Sequence, residues 1–79
     1  MTERTTLNRV APKQRCRIVD VGFTNGIGQR LMEMGLVQGS VIEVVRFAPL
    51  GDPMEIRVGR YRLSLRKADA EHVEVELCP

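Results

Sequence analysis

Apolar and polar residues alternate with a period of two along three stretches of the chain. Met54, Ile56 and Val58 alternate with Glu55 and Arg57; Tyr61, Leu63 and Leu65 alternate with Arg62, Ser64 and Arg66; Val73, Val75 and Leu77 alternate with Glu74 and Glu76. Successive side chains of a strand point to opposite faces, so each stretch predicts a strand with one buried and one solvated face. Gly59 and Arg60 alone separate the first two, which is the loop length and Gly-X pattern of a type II′ hairpin. Cys16 to Val21 predicts a strand rich in β-branched residues. Val41 to Phe47 is apolar on both faces, as in a strand that is central or strongly bent. The period changes once, where Ile27, Leu31 and Met34 make the single stripe of an amphipathic helix. Asn25 suits its N-cap, Gly35 suits the left-handed residue that ends it, and Leu36 is placed to fold back onto the last turn. Leu7 and Val10 predict a short helical turn before Pro12, and Ala68 to His72 predict another. Ala48 to Pro53 reads as a turn, with Pro49 at i+1 and Gly51 at i+3 of type I. The polar residues 1–6 are expected to fray.

Five short strands with one polar face each close best into a small barrel. The helical turn before the fifth strand is typical of SH3-like barrels. The expected fold is mainly β (a small α+β domain): a five-stranded SH3-like barrel with one α-helix and short helical turns. Residues 1–79 should form one such domain. Its core is expected to gather Leu31, Met34, Val44, Ile56, Val58, Leu63, Leu65, Val73 and Val75. Leu63→Ala should then cost about 2–5 kcal/mol.

A chain of 79 residues leaves little room for a deep cleft beside its core. With 43% hydrophobic and 28% charged residues, it is ordinary for a globular domain. The net charge of +2, with twelve basic residues interleaved with ten acidic ones, lacks the clustered excess of a nucleic-acid binder. There is no apolar run of the roughly 20 residues that cross a bilayer, and the first six residues lack the apolar stretch of a secretory signal. The cytoplasm is the expected location. There, Cys16 and Cys78, which form no CxxC pair, are expected as free thiols, bridged only if the first and last strands lie side by side.

Three motifs carry a resemblance. Leu31-Met32-Glu33-Met34-Gly35-Leu36 with Gly39 looks like a helix-to-strand signature, Pro49-Leu50-Gly51-Asp52-Pro53 like a second, and Ser64-Leu65-Arg66-Lys67-Ala68-Asp69-Ala70 like a third. Their order and spacing over nearly the whole chain resemble the ferrous-iron-transport protein A (FeoA) family. One departure is visible: Lys13 and Gln14 stand where members often carry Gly. The resemblance implies a cytoplasmic accessory protein that binds the cytoplasmic, GTP-binding part of the bacterial ferrous iron transporter FeoB. It also implies an SH3-like fold shared with iron-dependent repressors, without their DNA-binding region.

Candidate chemistry is sparse. The single histidine, His72, is joined to no nucleophile by any motif, and Gly26-Ile27-Gly28 lacks the Lys-Ser/Thr of a phosphate loop, so no enzyme is expected. For a divalent transition metal, adventitious or regulatory, the candidate ligands are His72 with Glu71 and Glu74, joined by Cys16 and Cys78 only through the fold. One histidine is few for such a site, and no resident cofactor is expected. Phe23, Phe47 and Tyr61, the last on the inward set of its strand, are too few aromatics for a Pro-rich-peptide groove.

The arginines are more informative. A two-residue hairpin loop sets Arg57 opposite Arg62, a mildly unfavourable like-charge pair that Arg60 and Arg66 extend. The ordinary reading is a solvated face, neutralised by Glu74 and Glu76 if the last strand lies near. The functional reading is a partner site of Arg57, Arg60 and Arg62, with Leu50 and Pro49 at its edge or sealing one end of the barrel. The leading expectation is an interaction module of ferrous iron uptake that contacts the transporter. The alternatives are an SH3-like nucleic-acid-binding module and an iron-responsive metal-binding regulator.

Overall fold

The computed structural model describes residues 3–22 and 26–78, with the side chain of Ile27 excepted. Phe23 and the expected cap Asn25 lie outside the described residues. In chain order the elements are β1 (Arg4–Thr6), a 3-10 turn (Leu7–Arg9), β2 (Arg15–Val21), α1 (Ile27–Glu33), β3 (Val41–Phe47), β4 (Met54–Val58), β5 (Tyr61–Leu65), α2 (Lys67–Ala70) and β6 (Val73–Leu77). The strands form one sheet in the order β1-β6-β2-β3-β4-β5, antiparallel at every step.

The sheet has six strands where the sequence pattern predicts five. The additional one is β1, whose residues were expected to fray. Its order is tertiary in origin: Arg4, Thr5 and Thr6 pair with Glu76, Val75 and Glu74 of β6, a strand seventy residues away that no local pattern announces. Leu7 and Val10 then plunge into the core and anchor the segment.

Two irregularities bend the sheet around that core. The register shifts between Ile18 and Asp20 on β2, and between Val44 and Arg46 on β3. An extra residue on one strand of a pair bends that strand and sharpens its twist. Val45, the extra residue on β3, explains why Val41–Phe47 is apolar on both faces: Ile42 and Val44 point inward, and Val45 sits at the bulge.

The core gathers Leu7, Val10, Cys16, Ile18, Val21, Leu31, Leu36, Ile42, Val44, Met54, Ile56, Leu65, Ala70, Val73 and Val75. Of the nine expected core residues, six are fully buried. Met34, Val58 and Leu63 are packed against them but only partly covered. Tyr61 departs from expectation. It shares a face with Leu63 and Leu65 but is 74% exposed, because β5 is the edge strand and the core does not extend beneath its first residue.

The local chemistry of the turns follows from particular residues. Past α1, the Gly35 N–H donates to the Met32 carbonyl and the Leu36 N–H to the Leu31 carbonyl, at 3.0 Å each. These are the paired bonds of a Schellman ending. Gly35 stands at φ 99°, and buried Leu36 lies against buried Leu31. In the β4–β5 hairpin Gly59 has φ 59° while Arg60 stays out of the positive-φ region, as a type II′ turn requires and a type I′ turn does not. Lys13, at the departure from the resembled pattern, has φ 72° and donates its N–H to the Val44 carbonyl at 2.6 Å.

Candidate partner-binding face

The outer face of the sheet is a lattice of charges set by the strand registers. One row runs Arg15, Glu43, Arg57, Arg62 across β2, β3, β4 and β5. The next runs Arg46, Glu55, Ser64 across β3, β4 and β5. Arg57 Nη1 lies 3.4 Å from Glu43 Oε1, Arg62 Nη1 lies 3.5 Å from Glu55 Oε1, and Arg46 Nε lies 3.0 Å from the other oxygen of Glu55. Arg57 and Arg62 therefore face each other as the hairpin predicts, but their neutralising acids are Glu43 and Glu55. Glu74 and Glu76, expected in that role, are on β6, three strands from β4, where they pair with Arg4 at 3.6 and 3.4 Å.

The alternation ends at β5. Arg62 shares its one acid with Arg46, and Arg60 at the hairpin tip has no ion pair among the described residues. The positive end of the lattice thus coincides with the edge of the sheet.

Leu50 and Pro49 belong to a different place. Met54 pairs with Leu65 and Val58 with Tyr61, so the loop before Met54 and the Gly59-Arg60 turn sit at opposite ends of the hairpin, about 13 Å apart along β4. Leu50 is not an edge of the arginine face. The predicted turn is present, with the Gly51 N–H donating to the Ala48 carbonyl at 2.7 Å, and the Asp52-Pro53 peptide bond is cis. The loop is braced from α2: an Asp52 carboxylate oxygen accepts the Lys67 N–H at 3.0 Å, and the Lys67 ammonium stands 4.8 Å over the Phe47 ring. Phe47 is partly buried and packs against the core. Leu50, 96% exposed at the tip, seals nothing. Sequence spacing does not reveal this bracing, since Asp52 and Lys67 meet only through the fold.

The metal candidates are likewise divided. His72, Glu71 and Glu74 line one open groove of about 590 Å³, together with Arg4, Arg9 and Asp20. The groove mixes both signs of charge, and Glu74 is already engaged by Arg4. Cys16 and Cys78 lie at the other end of β6, beside the Cys16–Leu77 pair. The first and last long strands do lie side by side, yet both cysteines are free thiols. Burial, and secondarily the nearby Cys78, push the Cys16 thiol up to about 12, so it stays protonated and a poor ligand. Among the described residues no group of three or more His, Cys, Asp or Glu side chains is placed to hold a metal ion. No helix among them is long and apolar enough to cross a membrane.

Comparison with known proteins places this arrangement. A FeoA domain family model matches residues 5–77. The chain is 51% identical over 49 residues to a fusion of Fe(2+) transport protein A with the Fe(2+) transporter FeoB from Porphyromonas gingivalis, a match covering 62% of this chain and 6% of the fusion protein. It superposes with TM-score 0.91 on a FeoA-like protein from Clostridium acetobutylicum at 34% identity, covering 100% of this chain and 92% of the other. It superposes with TM-score 0.79 on Stenotrophomonas maltophilia FeoA complexed with zinc, described as a procaryotic SH3 domain protein, at 31% identity over 90% of this chain and 88% of that one. The six-stranded antiparallel sheet is an SH3-like fold in which the three motifs occupy the α1 ending, the braced loop and the β5–α2 junction, and the chain belongs to the FeoA domain family.

Proposed function

We propose that this chain is a non-catalytic, cytoplasmic accessory of bacterial ferrous iron uptake. It works by contact between its β4–β5 hairpin and the cytoplasmic, GTP-binding part of a FeoB-type transporter. The observation that carries the reading is the fused relative, in which a segment 51% identical to this chain is covalently joined to FeoB. Such a tether keeps two domains at high effective concentration, which benefits partners that meet. Arg57, Arg60 and Arg62 supply the contact on this chain, because they form the positive end of an otherwise balanced lattice. Arginine's planar fork also suits bidentate capture of carboxylates.

The test is ferrous iron uptake by cells lacking the chain, complemented with the parent or with Arg57→Gln/Arg62→Gln at matched protein levels. Restoration by the parent and not by the variant supports the reading. Equal restoration by both means that the contact lies elsewhere, with the Pro49–Leu50 loop the next candidate. A second, metal-responsive reading is favoured by the zinc complex of the Stenotrophomonas relative. Saturable zinc or ferrous ion binding that disappears in His72→Ala supports it, and calorimetry showing no saturable heat with either ion removes it.

A further inference from the structure

The lattice of charges stops at a strand whose far side is unpaired among the described residues. β5 stands last in the sheet order, with β4 as its hydrogen-bonded neighbour. In an antiparallel ladder, hydrogen-bonded and non-hydrogen-bonded residue pairs alternate. A two-residue hairpin loop is closed by a hydrogen-bonded pair, here Val58 and Tyr61. Leu63 and Leu65 therefore also bond to β4, whereas the N–H and C=O groups of Arg62 and Ser64 point away from it. Neither main chain makes a turn or loop hydrogen bond among the described residues.

We propose that β5 is a docking edge for an extended acidic segment of a partner protein, which adds to the sheet as a seventh strand. The inference rests on the proposed contact with the transporter and specifies its form. Main-chain pairing gives such contacts their affinity, and alternate side chains give them selectivity. Here the selective position is the next place in the charge row. After Arg15, Glu43, Arg57 and Arg62, a carboxylate on the added strand restores the alternation and relieves the one like-charge step. A second copy of this chain is a poor occupant, because β5 carries no carboxylate to set beside Arg62 and pairing two such edges only brings more positive charge together.

The test uses the isolated cytoplasmic part of a FeoB-type transporter as probe. Ser64→Pro removes one outward N–H without touching the ladder to β4, at an edge position that tolerates proline. It should weaken capture of the probe by about tenfold or more, while Ser64→Ala binds like the parent. In parallel, amide exchange of the parent chain should slow at Arg62 and Ser64 when the probe is added, a readout that does not depend on whether the proline variant folds. Capture with unchanged exchange at Arg62 and Ser64, or equal capture by folded Ser64→Pro, overturns the docking edge and leaves the transporter contact standing. No capture by the parent overturns both. Exchange that slows at these amides without the probe, as protein concentration rises, identifies a second copy as the occupant and overturns the acidic partner.

Discussion

Gly35 shows how one residue fixes a junction between elements. At φ 99° a side chain is strained whatever the space around it, and a Cβ there would stand 3.4 Å from Val58 Cγ1. Gly35→Val should lower stability by about 1–2 kcal/mol, read as a melting temperature several degrees below the parent. Lys13 is the converse case, a side-chain residue held at φ 72°, so Lys13→Gly should raise the melting temperature by up to a few degrees. Gly35 is legible in the sequence because glycine after an apolar stripe has one common meaning. The strain at Lys13 is not, since lysine carries no conformational signal; only the resemblance to chains with glycine nearby hints at it. Cys16 adds a pH dependence. Its folded pKa is raised, to about 12, above its ordinary value, so the folded chain keeps a proton that the unfolded chain releases. Stability is full below pH ~9 and falls as pH rises from there towards 12. Thermal melts between neutral pH and pH ~10 should show this decline in the parent and a shallower one in Cys16→Val. A parallel decline in both would assign it to other groups.

At the scale of elements, strands with a strict two-residue alternation are readable to within a residue. Met54–Val58, Tyr61–Leu65 and Val73–Leu77 fall where the pattern puts them. β1 is unreadable, because a polar tripeptide becomes a strand only where a distant edge, β6, is waiting for it. Depth of burial also depends on the neighbours of a strand and not on its own pattern. Ile56 on β4 has strands on both sides and is fully buried, whereas Leu63, opposite it on β5, lies at the edge and is only partly buried. Ile56→Ala should therefore cost about 2–5 kcal/mol, and Leu63→Ala, expected from the alternation alone to cost as much, less than half of that. Denaturant melts of the two variants check the order; a Leu63→Ala loss equal to that of Ile56→Ala would place the core farther towards β5.

For the whole molecule, the sheet order decides which charges meet. The sequence alternation puts Arg57 opposite Arg62, but which acids flank them depends on β3 lying beside β4 and β6 lying far from it. That placement divides the candidate site residues into four regions: the arginine edge, the braced Leu50 loop, the groove at His72, and the cysteines at the other end of β6. It also dictates how the arginines are best tested. Reversal to glutamate sets new acids beside Glu43 and Glu55, whereas glutamine removes the charge and only loosens exposed pairs, each worth about 0–1 kcal/mol. The central claim, that the hairpin face meets a FeoB-type transporter, is tested most directly by calorimetric titration of the purified chain into the isolated cytoplasmic part of that transporter. The account predicts saturable binding that weakens with added salt and falls about tenfold in Arg57→Gln/Arg62→Gln, with the variant melting within a few degrees of the parent. Absence of saturable binding at low salt, with the transporter part competent to bind guanine nucleotide and the chain folded, would contradict it.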